Sequence, residues 1–447
     1  MTADEAATIY ALSSGSGRAG VAVIRLSGNR ACGAFETLCP GQTLPPPRRV
    51  RRTTLVEPES GNIIDHGLAM TFLAPNSYTG EDVVEFHVHG GSAVVQAVVE
   101  ALGRIGGLRM AEAGEFTRRA FENGKIDLTA AEGIGDLVAA STEAQRRQAV
   151  MQAGGAFAAQ IEDWRVRLIR LLAHAEAEID FPDEDLPEAI AGQARSDVVV
   201  LAEEMRQVLD DRRRGEVIRD GVRVAIIGPP NVGKSSLLNC LAQRDVAIVS
   251  DQPGTTRDVV EVHLDLGGFP VTVWDTAGLR ETGDRVEAEG VRRALARADA
   301  ADVTLVLRET GQAPARYGVS AGGGANQRIF LRTKSDLAAN PVETVVVPGE
   351  ISVSSKTGAG INSVLDRLVE AVASQFGSEE PAVITRERHR QCLLRAVEAL
   401  DRAEAAASAE LFSEDLRLAV RALESVMGRV DVEHILDIVF KDFCIGK

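Results

Sequence analysis

The chain has 447 residues, 26% charged and 45% hydrophobic, which is room for several domains with ordinary cores. A net charge of −16 excludes a broadly basic surface, so a nucleic-acid partner would have to meet local patches. No apolar run approaches the ~18 residues of a membrane span, and MTADEAATIYALSSGSGRAG holds no signal-peptide core, which together predict a soluble cytoplasmic protein.

Residues 1–122 read as strands separated by Gly, Pro and Ser turns, with Val21 to Leu26 and Asp82 to His89 the clearest. After the PPP turn, Arg48, Arg49, Arg51 and Arg52 form a basic run that reads as a solvated loop or as a nucleic-acid patch. In DVVEFHVHGG, alternation puts Glu85, His87 and His89 on one strand face. That trio invites a metal reading, but HxH with a single acid leaves the ligand set incomplete.

Residues 123–217 turn helical: Thr129 and Glu132 read as a capping box, and Trp164, Leu168, Leu171, Leu172 and Ala175 keep helical spacing. Residues 218–378 alternate short apolar strands with helices, as in a parallel α/β sheet. Helical spacing resumes over 379–447, with Leu416, Val420, Leu423 and Met427 following a predicted Ser413 cap. A helical segment that is interrupted and then resumed predicts an α/β domain inserted into a helical one, in a multidomain α+β and α/β protein. Five cysteines, odd in number and without a CxxC pair, read as reduced core residues. Cys444 alone stays open between apolar packing and chemistry.

The strongest signal is VRVAIIGPPNVGKSSLLN, where a strand runs through GxxxxGKS into a helix. Asn231, Val232, Gly233, Lys234, Ser235 and Ser236 lie on the loop and first helical turn. There backbone amides cradle phosphates, Lys234 reaches the β and γ oxygens, and the Ser235 hydroxyl ligates magnesium. GTTRD follows, placing Thr255 and Thr256 on a switch, with Thr256 toward magnesium and the γ-phosphate. DTAG supplies the Asp275 carboxylate behind magnesium's own ligands and, past Thr276 and Ala277, the Gly278 amide for the γ-phosphate. TKSD offers Thr333, Lys334 and Asp336, whose carboxylate selects guanine, and SSK puts Ser354, Ser355 and Lys356 near guanine O6. An ATPase would need the last two spacings to be accidental. Thr333 stands where the usual NKxD motif has asparagine, and no glutamine follows DTAG to orient water.

The motif series resembles the translation-factor-like GTPases. Together with DTAGLRET, PNSYTGEDVVEFHVHGG, GEFTRRAFENGKIDLTAAE and the terminal FCIGK, it resembles the MnmE (TrmE) family of tRNA modification GTPases from Val21 to Lys447. The resemblance implies an N-terminal folate-binding, dimerising domain over 1–122, a helical domain over 123–217 and 379–447, and a GTPase domain over 218–378. It implies potassium held by Asn231 with Ser250, Gln252 and Thr255, in place of an arginine finger worth roughly 10³ to 10⁵ in rate. It makes Glu287 the water-orienting carboxylate, a residue that otherwise reads as a surface helix acid. It assigns Arg25, Glu85, Lys125 and Lys447 to a tetrahydrofolate carrying a 5-formyl or methylene unit, with Cys444 close by. The implied activity is a potassium-stimulated GTPase, active as a homodimer. With an MnmG-type FAD protein, in a heterotetramer, it would install an aminomethyl or carboxymethylaminomethyl group at carbon 5 of the wobble uridine of certain tRNAs. Two other readings stay open: a ribosome-assembly switch GTPase that binds RNA, and a folate-dependent aminomethyltransferase with a regulatory G domain.

Overall fold

AGVAVIRLS and VVEFHVHG alternate apolar and polar side chains, and each forms a strand with one buried face. The computed structural model describes residues 7–15, 17–180, 188–244, 246–247, 261–275, 300–309, 327–337, 349–376, 383–430, 436, 439–441, 443 and 445–446, with the backbone alone at 188–193 and 275. These fall into two compact units, residues 1–135 with 152–170 and 420–447, and residues 136–151 with 171–419.

In the first unit, β1 (Thr8–Leu12), β2 (Ala19–Ser27), β3 (Arg51–Val56), β4 (Ile63–Phe72), β5 (Val83–Gly90) and β6 (Leu108–Met110) form a six-stranded sheet. Its order is β3-β4-β5-β2-β1-β6, antiparallel except for β1 with β6. Helices α1 (Ala31–Leu38) and α2 (Ser92–Gly103) cover one face, where Ile24, Leu26, Val84 and Phe86 pack with Phe35 and Leu102. The Phe35 and Phe86 rings stack 6.0 Å apart. Alternation then sends Arg25, Glu85 and His87 to the opposite face, beside the start of α3 (Glu115–Glu122) and its fully buried Phe116.

Helical periodicity gives α4 (Leu128–Ala139), α5 (Glu143–Ala153), α6 (Ala156–Asp180), α7 (Glu188–Leu209) and α8 (Arg214–Asp220). The cap of α4 is not Thr129 but Asp127, whose Oδ1 accepts from the Thr129 and Ala130 amides at 2.8 and 3.2 Å and from the Thr129 hydroxyl at 2.6 Å. The Asp127 carboxylate, two residues earlier, meets the free amides first, so Thr129 becomes a helical residue.

In the second unit, β7 (Val222–Ile227), β8 (Glu261–Leu266), β9 (Phe269–Asp275), β10 (Val303–Glu309), β11 (Gln327–Thr333) and β12 (Ile351–Ser352) make a second six-stranded sheet, ordered β12-β11-β10-β7-β9-β8. All pairs are parallel except β8 with β9. Val222, Val224 and Ile226 of β7 pack toward α9 (Lys234–Ala242) and α10 (Ile361–Phe376), while Ala225 and Ile227 are buried on the other face. Burial on both sides explains the unbroken apolar strands.

The chain then enters α11 (Glu387–Glu404) and α12 (Ala409–Met427). Ser413 lies inside α12, fully buried, and Ser408 caps the helix instead, accepting at its carbonyl from the Phe412 amide at 3.1 Å. Helices α7 and α11 are tied to each other although the strands β7 to β12 lie between them in sequence. Arg195 donates to the Glu404 and Ala406 carbonyls at 2.8 and 3.0 Å, and Arg390 to the Leu209 carbonyl at 2.8 Å. Among the described residues, no helix is long and apolar enough to cross a membrane.

Candidate functional site

Every phosphate and base motif that is described sits at the carboxyl end of a parallel strand, the edge where open α/β sheets bind ligands. The loop after β7 starts at Gly228, where a Cβ would stand 2.8 Å from the Leu307 carbonyl, so β10 approaches too closely for a side chain. It continues through exposed Asn231, left-handed at φ 61°, and buried Val232 to Gly233, and delivers the first turn of α9. Ser235 and Ser236 are exposed at that helix start, whose free amides and dipole favour an anion. Lys234 is folded inward, its Nζ donating to the Gly228 and Pro229 carbonyls at 2.8 Å each.

Thr333, at the end of β11, is buried and donates from Oγ1 to the Val232 carbonyl at 2.7 Å. The substituted threonine thus ties the TKSD strand to the phosphate loop. Lys334, left-handed at φ 57°, reaches Glu309 at 2.9 Å. Asp336 is exposed and accepts from the buried Ser354 hydroxyl at 2.7 Å, a bond that holds its carboxyl below the usual carboxylate range and keeps it anionic. Ser355 receives the Cys240 thiol on its carbonyl at 3.0 Å, tying this loop to α9, and Lys356 is exposed beside it. Asp275 ends β9 in register with Ile226. Ser250, Gln252, Thr255, Thr256, Thr276, Ala277, Gly278 and Glu287 lie outside the described residues.

A second site forms in the first unit. Arg25 and Glu85 are register partners on β2 and β5, and Arg25 Nε meets Glu85 Oε1 at 2.8 Å. With Phe72, Tyr78, Val83 and Ile134 they line a cavity of about 330 Å³. The Arg25 guanidinium lies 5.7 Å from the Tyr78 ring and 5.8 Å from Phe116, so it is flanked by aromatic rings. Burial pushes the Tyr78 phenol up, and its hydroxyl bonds Thr117 at 2.9 Å. Glu85, His87 and His89 do not converge on one point. His89 turns to Asp65 at 2.8 Å, Glu85 is held by Arg25, and His87 Nε2 stands 3.5 Å from Glu85 Oε2. Lys125 lies outside the cavity lining, donating to the Pro75 carbonyl at 2.9 Å.

The terminal segment docks in this unit. Phe443 packs with Leu128 and Phe440, Ile445 bridges Ala113, and the Gly446 carbonyl accepts from Ser13 Oγ at 2.8 Å. Leu12, against which Gly446 lies, is the register partner of Ile24, next to Arg25. Cys444 and Lys447 lie outside the described residues.

Residues 8–125 match the model for the GTP-binding protein TrmE N-terminus, and residues 128–444 match that for the MnmE helical domain. The chain belongs to the MnmE family. The tRNA modification GTPase MnmE of Parvibaculum lavamentivorans is 53% identical over 446 residues, covering 98% of this chain and 100% of that one. That of Rhodospirillum rubrum is 50% identical over 460 residues, covering 100% of both. Among solved structures, Era of Aquifex aeolicus bound to GDP.AlF4- is similar at 22% identity, over 40% of this chain and 66% of that one, with a TM-score of 0.27.

The first unit also holds a polar network that the sequence did not flag. Ser27 bonds Thr79 and Glu81 at 2.7 and 2.6 Å, Arg119 bridges Glu81 and Glu115, and Arg109 grips Glu115 at 2.6 Å. Its members come from four separate stretches of sequence, around Ser27, Thr79 with Glu81, Arg109, and Glu115 with Arg119, and only the folded sheet and the docking of α3 gather them. The four cysteines described, Cys32, Cys39, Cys240 and Cys392, are thiols outside any disulfide, and burial pushes the Cys32 and Cys39 thiols up, away from reactivity.

Proposed function

We propose that the protein hydrolyses GTP to drive a uridine modification in tRNA, working as a cytoplasmic homodimer with an MnmG-type flavoprotein. What carries this reading is the family match along the whole chain, joined to the alignment of the phosphate and guanine motifs on one sheet edge. In it the domains run 1–122, 123–217 with 379–447, and 218–378.

The loop amides and α9 would hold the phosphates, and Lys234 would exchange its two carbonyl partners for phosphate oxygens, a swap that keeps its charge satisfied. Asp336, kept anionic, accepts from the guanine N–H edge, while Ser354, Ser355 and Lys356 frame O6. Ser235, exposed at the helix start, fits one magnesium ligand, with Thr256 as its companion and the Asp275 carboxylate behind them. Asn231 fits one potassium donor, since its left-handed backbone presents an exposed side chain at the loop, and Ser250, Gln252 and Thr255 complete that set. The two cations supply charge that offsets negative charge developing on the phosphoryl group. Glu287 orients the attacking water.

The cavity beside Arg25 fits a reduced folate in chemical type. Aromatic walls suit a pterin, Glu85 can accept from its N–H edge, and Arg25, with Lys125 and the terminal Lys447, suits carboxylates. Cys444 is then carried close to the one-carbon unit, which the folate supplies when bound.

Nucleoside mass spectrometry of tRNA from cells lacking the protein tests the reading. Loss of the carbon-5 aminomethyl-type wobble uridines, restored by the wild-type chain, is expected, and an unchanged profile overturns it. GTP turnover in potassium against sodium, and in Glu287→Ala, tests the catalytic assignments. Equal rates in both salts remove the ion from Asn231, and undiminished turnover removes Glu287.

A further inference from the structure

Many arginines in the first unit are neutralised. Arg25, Arg104, Arg109, Arg118 and Arg119 each meet a carboxylate at between 2.6 and 3.1 Å. The run Arg48, Arg49, Arg51 and Arg52 does not. All four are exposed, and among the described residues none is ion-paired with a carboxylate. The contacts made by Arg48 and Arg51 are to backbone, the Asn76 carbonyl at 3.3 Å and the Thr43 carbonyl at 2.8 Å, so the charge stays available.

The fold also gives the run a shape. Arg48 and Arg49 sit on a turn, Arg48 left-handed at φ 60°, and Arg51 and Arg52 open β3, the outermost strand of its sheet. Neighbouring strand residues point to opposite faces, so the guanidinium groups line the rim on both sides. Val50 between them is 55% exposed. One or two charges would suffice to keep a sheet edge from pairing with another chain. Four of one sign, unneutralised in a chain of net charge −16, point to a polyanion.

We propose that this rim is a binding site for the phosphate backbone of the RNA substrate. The proposal rests on the tRNA reading above and adds to it where the RNA lies. Forked guanidinium groups pair with phosphate oxygens two at a time, and such contacts hold position without reading sequence.

The test measures binding of a fluorescent unmodified tRNA transcript to the full-length protein by anisotropy, across a salt series. It compares wild type with a variant carrying Arg48→Gln, Arg49→Gln, Arg51→Gln and Arg52→Gln, and a second with all four changed to Lys. With roughly 0.7 to 0.9 of a counterion released per contact, the Gln variant should lower the slope of log affinity against log salt by about 3, with at least a tenfold loss near 0.1 M salt. The Lys variant should keep most of the slope, and unstimulated GTP turnover should match wild type in both, as the rim is remote from the nucleotide motifs in sequence. A Gln variant with wild-type slope and affinity overturns the site. The same result accompanied by loss of flavoprotein binding also overturns it and gives the rim to a protein partner. Absence of tRNA binding by the wild-type chain at every salt concentration overturns the tRNA reading itself, and the site with it.

Discussion

Thr333 and Val232 are joined through one hydroxyl proton. Thr333 Oγ1 stands 2.7 Å from the Val232 carbonyl and 3.1 Å from that of Arg308, so a residue on β11 spans the phosphate loop and β10 at once. Thr333→Val keeps the shape and leaves both carbonyls without this donor, at a cost of about 1–3 kcal/mol. Calorimetry should show weaker GDP binding by roughly tenfold and a lower melting temperature, with Thr333→Ser close to wild type. A valine variant that binds GDP normally would show that the loop holds itself.

Gly446 tests the docked tail. At φ 100°, with a Cβ position only 2.1 Å from the Leu12 carbonyl oxygen, it has no room for alanine. Gly446→Ala should release Ile445 from Ala113, raise cleavage near the terminus in limited proteolysis, and abolish tRNA modification while sparing GTP turnover. Intact modification in that variant would separate the tail from the chemistry.

The Arg25–Glu85 pair is half-buried, so Glu85→Gln should cost more than the ~0–1 kcal/mol of an exposed pair and less than the ~3–5 kcal/mol of a buried one. Urea unfolding of the double variant Arg25→Met with Glu85→Gln should recover part of that loss. If the double variant is as unstable as the sum of the singles, the two groups do not act as a pair.

Acid should loosen the first unit through Glu115. Burial raises its carboxyl, but bonds from Arg109, the Glu112 amide and Arg119 outweigh burial and hold it below the ordinary glutamate value. A folded value below the unfolded one means that stability is fully present above the unfolded pKa and is lost as pH falls through the folded one. Melting temperatures taken from neutral to strongly acid pH should therefore fall less steeply for Glu115→Gln than for wild type. Parallel curves would assign the acid limb to other carboxylates.

Much of this was legible in the sequence where chemistry is carried by contiguous residues. The phosphate loop, TKSD and SSK are short, and each needs only a strand before it. Alternation also placed Glu85 and His87 on one face correctly. It could not say that Asp65, on the neighbouring strand, would claim His89, because register across strands has no local signature. The two misplaced caps share a cause. Thr129 and Ser413 have the right residue type near a helix start, but Asp127 and Ser408 lie where the first free amides are. The arginine rim read more readily as a solvated loop, and its place on an edge strand is a property of sheet order alone.

The ties between α7 and α11 carry a cost in time. Arg206 and its partner Asp401 are separated by 195 positions, so at ~5–20 residues per second roughly 10 to 40 seconds of synthesis pass between them. During that interval Val198, Leu201 and Met205, all fully buried in the finished fold, have no α11 to pack against. The strands between the two helices emerge in the gap and can close on their own core. The helix that precedes them must wait for α11 with its apolar face uncovered, which makes α7 a segment that a nascent chain needs shielded.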